Sequence, residues 1–169
     1  MSPFEATRAA FAFARMRGEL VRYVTNYTGN PDAAEDVVQE VYLRLHEKPP
    51  ADLSRLRSWL YAVATNVARD DVRTARRRAD ILRREVNQVP LPTPAPDPAV
   101  AVERADLRGR LRVAMEVLTA RERTALLMRE EGFRHREIAE AVGTTTKTIG
   151  TLMARALEKV HRQLNKEEA

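Results

Sequence analysis

His135-Arg136-Glu137-Ile138-Ala139-Glu140-Ala141-Val142-Gly143, followed by Thr144-Thr145-Thr146-Lys147-Thr148-Ile149, reads as a helix, a sharp turn and the start of a second helix. Such a pair needs a small residue where the helices cross and a tight turn between them. With His135 as position one, Ala139 is the small residue at position five. Gly143, at position nine, can take the left-handed turn conformation that a Cβ disfavours. Ile138, Val142, Ile149 and Leu152 are the apolar positions that would pack inward. The threonine run is placed to cap the second helix, whose N-terminal end would enter a DNA major groove. Its exposed candidates are Thr145, Thr146, Lys147, Gly150, Thr151 and Arg155. Lys147 and Arg155 suit phosphates; the threonine hydroxyls suit a phosphate or a base edge, and their methyls a thymine methyl.

Upstream of this motif the pattern stays helical. Thr119-Ala120-Arg121-Glu122 is a capping box, and the helix it opens should stop at Gly132. Val102, Leu107, Leu111, Ala114 and Leu118 predict one more amphipathic helix before it. Between residues 89 and 98, Pro90, Pro92, Pro94, Pro96 and Pro98 occupy every second position. Each proline fixes its own φ and biases its neighbour toward extended backbone, so this stretch predicts a polyproline-II-like spacer.

The N-terminal block predicts three helices. Ser2 as cap, Pro3 and Glu5 mark the first start. Phe4, Phe11, Met16, Leu20, Tyr23, Val24 and Tyr27 are expected on one face, with a break near Gly18. Gly29-Asn30-Pro31-Asp32 is a stop and a new start. The second helix carries Val37, Val38, Val41 and Leu45 and should end before Pro49-Pro50. Ser54 is the expected cap of the third, which carries Leu56, Trp59, Leu60, Val63, Ala64, Val67 and Val72 and runs into Arg76-Arg77-Arg78. Trp59 is expected in the core rather than as a stacking platform. No segment calls for strands, so the fold class is all-α.

Composition narrows the functions. The 169 residues contain no cysteine, which removes disulfides, thiolate metal sites and cysteine nucleophiles. His46, His135 and His161 have no zinc-ligand spacing. No Gly-rich phosphate loop, metal cluster or nucleophile constellation is visible, so neither an enzyme nor a cofactor is expected. No apolar run approaches the ~20 residues of a membrane span. Glu5, Arg8, Arg15 and Arg17 interrupt the early apolar stretch, which argues against a signal peptide and for a cytoplasmic protein. The formal charge of +5 is uneven: residues 1–78 carry +3, 79–106 carry −2 and 107–169 carry +4. Two basic blocks around an acidic segment suit a polyanionic partner.

Asp36, Gln39 and Glu40, at i, i+3 and i+4, share one helix face beside the Val37/Val41 stripe. An acidic-amide face is odd on a protein seeking DNA and looks like a docking surface for a basic protein. The Asp36-Val37-Val38-Gln39-Glu40 phrase, together with Arg57-Ser58-Trp59-Leu60, Ala64, Asn66 and Asp70, and with the helix-turn-helix, resembles the small extracytoplasmic-function (ECF) group of sigma factors in the sigma-70 family. The resemblance covers about residues 15–78 and 104–162. The wording Thr148-Ile149 and Ala154-Arg155-Ala156-Leu157 is nearer that group's iron-transport-regulating (FecI-like) branch.

The resemblance implies a sigma region 2-like domain at 1–78, a flexible proline-rich linker at 79–101 and a sigma region 4-like domain at 102–169. It implies that Asp36, Gln39 and Glu40 bind the β′ clamp helices of core RNA polymerase, with the β flap as a second contact. It places Asn66 at a pocket for a flipped base of the −10 element, and an amide that both donates and accepts suits that task. Arg73, Arg76, Arg77 and Arg78 would hold −10 phosphates. Thr145, Thr146, Lys147, Thr151 and Arg155 would meet the −35 duplex. The implied partners are core polymerase, promoter DNA and an anti-sigma factor or membrane-linked sigma regulator, with no small-molecule substrate. Many members carry a basic residue and Ser-Arg where this chain has Gly150, Thr151 and Leu152, so its last helix lacks two cations. A stand-alone helix-turn-helix regulator is the alternative function. It accounts for residues 104–162 but leaves Asp36–Glu40 and Trp59–Asp70 as coincidence.

Overall fold

The computed structural model describes residues 3–85 and 109–166, which are helices, turns and short connections with no strand among them. Helices α1 (Pro3–Thr28), α2 (Pro31–Glu47) and α3 (Leu56–Glu85) form the first half. A 3-10 turn at Leu53–Arg55 leads into α3. The second half holds α4 (109–116), α5 (Ala120–Glu130), α6 (His135–Val142) and α7 (Thr146–Lys166). Ser2, residues 86–108 and hence the expected proline spacer, Val102 and Leu107 lie outside the described residues.

Helix α1 is continuous through Gly18, where a break was expected. A glycine inside a helix costs only about 1 kcal/mol against alanine, less than the packing around it supplies. The apolar face also differs from expectation. Ala9, Phe13, Leu20, Tyr23, Val24 and Tyr27 are buried, whereas Phe4 and Phe11 are 75% and 66% exposed. At ~3.6 residues per turn, Phe13 lies about two turns before Leu20 and shares its side, while Phe11 falls on the opposite side. Gly29 at φ 72° ends α1. Asn30 then caps α2, its Oδ1 accepting from the Asp32 and Ala33 amides at 3.0 and 3.3 Å, with Pro31 at the first helical position. Asp52, not Ser54, is the cap before α3. Its carboxylate accepts from both the amide and the hydroxyl of Ser54, at 2.8 and 2.7 Å. Helix α3 continues past Arg78 to Glu85, into the segment expected to be linker.

Tyr23 shows how the first bundle closes. Its hydroxyl meets Thr65 Oγ1 at 2.7 Å, and Thr65 donates to the Tyr61 carbonyl at the same distance. Burial pushes the Tyr23 phenol pKa well above its ordinary value. Leu20, Val24, Val38, Val41, Leu60 and Ala64 pack with it. Truncating a buried leucine such as Leu20 to alanine should cost about 2–5 kcal/mol. Trp59 is half-buried and packs against this core, as its leucine and valine neighbours predict.

In the second half the Thr119/Glu122 capping box forms as expected. At the far end of α5, Gly132 at φ 81° closes a Schellman turn, with Phe133 N–H donating to Met128 O and Gly132 N–H to Arg129 O. Ala114 and Leu118 are buried ahead of α5, but Leu111 is 48% exposed, contrary to its expected place on the buried face. One apolar cluster runs through both halves: Tyr61 of α3 meets Phe133 edge-on, ring centroids 4.8 Å apart.

Candidate functional site

Three surfaces carry the residues singled out in the sequence. On α2, Val37, Val38 and Val41 turn inward, which leaves Asp36 and Gln39 exposed and Glu40 half-exposed. Glu40 accepts from Arg44 Nε at 2.7 Å, an i,i+4 pair that orders the carboxylate without burying it. Gln39 also borders a groove of about 430 Å³ between α1 and α2, walled by Phe13, Arg17, Glu35 and Tyr42.

On α3, Ala64 and Thr65 face the core, so Asn66 is turned to solvent. The amide is therefore available to a ligand rather than spent on an internal cap. Arg73, Arg76, Arg77 and Arg78 are all exposed. Arg73, Arg76 and Arg77 share the wall of a cleft with Arg69; Arg78 is not part of that wall.

On α7, Ile149 and Ala156 are fully buried. Lys147, Thr151 and Arg155, four residues apart, form an exposed stripe on the other side, with Thr146 exposed beside it. Thr145 is exposed but already occupied. Its Oγ1 accepts from the Thr148 amide at 3.3 Å and lies 2.8 Å from Thr148 Oγ1, so it caps the helix. Gly143 adopts φ 68°, ψ 46° between α6 and α7, and Ala139, Ile138 and Val142 are buried at the crossing. Leu152 is half-buried against the core, so only Gly150 and Thr151 of the three departing positions are exposed.

The halves are joined by residues that the sequence reading did not single out as a unit. Arg57 donates to the Glu131 carbonyl at 2.6 Å, with its guanidinium 4.1 Å from the Phe133 ring centroid and 5.2 Å from that of Tyr61. Glu131 accepts from Tyr61 Oη at 3.1 Å and pairs with Arg22 at 3.2 Å. Ser58 donates to Glu137 Oε1 at 2.9 Å, and Arg55 pairs with Glu140. Burial first, then the Glu131 carboxylate, pushes the Tyr61 phenol pKa well up. Glu137 is held below the usual carboxylate range, chiefly by the Arg134 amide, with burial opposing and Ser58 helping. Arg123 is buried and reaches the Tyr27 and Met115 carbonyls. No local spacing flags the joint, because Arg57 and Glu131, Ser58 and Glu137, and Arg123 and Tyr27 lie 74, 79 and 96 positions apart along the chain.

Residues 12–78 match sigma-70 region 2, and residues 108–160 match sigma-70 region 4. The chain belongs to the sigma-70 family. Its relatives include the ECF RNA polymerase sigma factor SigG of Mycobacterium tuberculosis (strain ATCC 25618 / H37Rv), 34% identical over 83% of this chain and 44% of the relative. The ECF RNA polymerase sigma factor SigJ of the same strain is 31% identical over 89% of this chain and 49% of the relative. The chain thus spans about half the length of these curated relatives. The sigma factor RpoE of Bartonella quintana, solved in complex with the anti-sigma factor NepR, shares the fold. It aligns with a TM-score of 0.65 and 21% identity over 92% of this chain and 96% of that one. In this sigma-70 family member, the α2 face and the α3 arginines lie within the region 2 match, and the α6–α7 motif lies within the region 4 match. No helix among the described residues is long and apolar enough to cross a membrane.

Proposed function

We propose that the chain is an ECF-group sigma factor that brings core RNA polymerase to promoters, with catalysis left to the polymerase. The observation that carries this reading is the exposed Asp36/Gln39/Glu40 face on α2 in the same chain as an exposed helix-turn-helix stripe on α7. A stand-alone DNA-binding regulator needs the second and has no use for the first. The α2 face docks on the β′ clamp helices, and the region 4-like half meets the β flap. Asn66 takes a base of the −10 strand, while Arg73, Arg76, Arg77 and Arg78 hold its phosphates. Thr146, Lys147, Thr151 and Arg155 meet the −35 duplex, with Thr145 setting the start of that helix. Domains at 1–78 and 102–169, tethered by the proline-rich segment, make the second DNA contact effectively intramolecular.

An anti-sigma factor or membrane-linked regulator is the corresponding inhibitory partner, and the cytoplasm the compartment. The finer placement near the iron-transport-regulating branch rests on Thr148-Ile149 and Ala154–Leu157 alone. Run-off transcription with core polymerase on genomic fragments tests the function. Start sites that appear only when the chain is added support it. DNA binding without polymerase association and without transcripts returns the reading to the stand-alone regulator.

A further inference from the structure

Arg69, Arg73, Arg76 and Arg77 of α3 face Arg123 of α5 across a cleft of about 320 Å³ between the two halves. The other walls are Tyr27, Val72, Leu118 and Ala120, so among the described residues the lining contains no acidic side chain. The α3 residues recur at i, i+4, i+7 and i+8, which puts their cations on one face. Asp70 and Asp71 interrupt this run in sequence but are not on that wall.

Arg123 makes this more than a solvated basic helix. Its residue is only 7% exposed. Nη1 donates to the Tyr27 carbonyl at 3.3 Å and Nη2 to the Met115 carbonyl at 2.8 Å, and Nε, itself buried, has no partner among the described residues. The cation is thus held by two carbonyls and by no carboxylate at ion-pair distance among the described residues, and a buried charge without a counter-ion favours an anionic ligand. Burial lowers the Arg123 pKa, and repulsion from Arg76 adds to that effect while Glu116 opposes it. The first turn of α5 begins at Ala120 on the same wall, adding the partial positive charge of a helix N-terminus. The acidic residue of that turn, Glu122, is engaged by the Thr119 amide and by Lys159 at 2.8 Å.

We propose that this cleft binds a small oligophosphate anion and that the site exists only while the two halves are packed together. Its volume is at the small end of the ~300–1,000 Å³ typical of ligand pockets, which suits a compact molecule and excludes a duplex. Several guanidiniums around so small a space call for several negative charges on one ligand, and their forked donors match phosphoryl oxygens in pairs. Phosphoryl groups also come from a DNA strand, so the test separates the two sources. The proposal goes beyond the sigma-factor reading, in which Arg73, Arg76 and Arg77 hold −10 phosphates, so the two anions should compete for those arginines.

The test is calorimetric titration of the full chain with inorganic tripolyphosphate, and separately with a short thymidine oligonucleotide, at physiological salt. Tripolyphosphate should bind the wild type. Arg76→Ala, an exposed change that leaves the core intact, should weaken it about tenfold, the size of one lost charged hydrogen bond. Arg78→Ala removes the same charge from outside the cleft and should matter less than about twofold at that ionic strength. Arg123→Gln should weaken tripolyphosphate strongly and leave the oligonucleotide affinity unchanged. Equal losses from Arg76→Ala and Arg78→Ala would mean diffuse electrostatics and overturn the site. Parallel loss of both ligands in Arg123→Gln would make the cleft part of a DNA track and overturn it too, as would no tripolyphosphate binding at millimolar concentration. Run-off activity in the same preparation distinguishes failure of this proposal from failure of the sigma-factor reading.

Discussion

The Arg57 guanidinium stacks 4.1 Å from the centroid of the Phe133 ring and donates to the carbonyl two residues earlier, at Glu131. One side chain thus ties the start of α3 to the turn between α5 and α6. A partly desolvated cation–π contact is worth roughly 1–2 kcal/mol, and a charged hydrogen bond about 1.5–3 kcal/mol. Arg57→Ala should therefore loosen the two halves more than it destabilises either bundle. Small-angle scattering should show a larger radius of gyration, with far-UV circular dichroism unchanged. An unchanged radius would mean that the remaining contacts suffice to hold the halves together.

The α2 face gives a second prediction. Asp36→Arg with Glu40→Arg should abolish association with core polymerase in a pull-down while helicity is retained. The cost to α2 itself should be only about 0.5 kcal/mol, because the change replaces an exposed Glu40–Arg44 pair with a like-charge pair. Polymerase binding at wild-type strength would remove the main support for the sigma-factor reading.

Asn66 and Arg77 should behave differently. Asn66→Ala should lower binding to a single-stranded −10 oligonucleotide by roughly 1–3 kcal/mol and erase base preference at one position. Arg77→Ala should weaken all sequences alike and reduce the salt slope by about one. Affinity measured over a salt series and a set of base substitutions checks both, and matching profiles would make Asn66 structural.

The α6 cap, and with it the Ser58 tie to α3, should be acid-sensitive. Glu137, tied to the Arg134 amide and to Ser58, has a folded pKa below its ordinary value. Its contribution is thus full above the unfolded value of about 4.3 and is lost as pH falls through the lower folded value. Glu137→Gln should lose melting temperature at pH 6 but narrow the gap between pH 6 and pH 3. Thermal melts of both proteins at the two pH values measure this, and an unchanged gap would assign the acid loss to other carboxylates such as Glu122.

Gly143 offers a purely conformational test. Its left-handed backbone should make Gly143→Ala cost about 1 kcal/mol or somewhat more in chemical unfolding, although a Cβ there would touch nothing within 4 Å. A neutral substitution would show that the turn can relax.

Local chemistry was enough to place several element boundaries. Asn30-Pro31 starts α2, Thr119 with Glu122 starts α5, Gly132 ends it, and Ala139 with Gly143 makes the helix-turn-helix, because each is a contact between residues a few positions apart. The same short range explains why Asp36 and Gln39 were expected outside and proved so. Which phenylalanine of α1 is buried was not decided by composition. Phe11 and Phe13 are equally apolar, and Phe13 goes inward because it shares Leu20's side of α1, the side that the bundle covers. Tertiary structure alone decided the joint between the halves. Arg57 meets Phe133, Ser58 meets Glu137, and Arg123 faces Arg76 across a cleft, all between residues far apart in sequence. Periodicity records which face of a helix turns from water. It carries no record of what will cover that face, because covering is a property of two distant surfaces brought together.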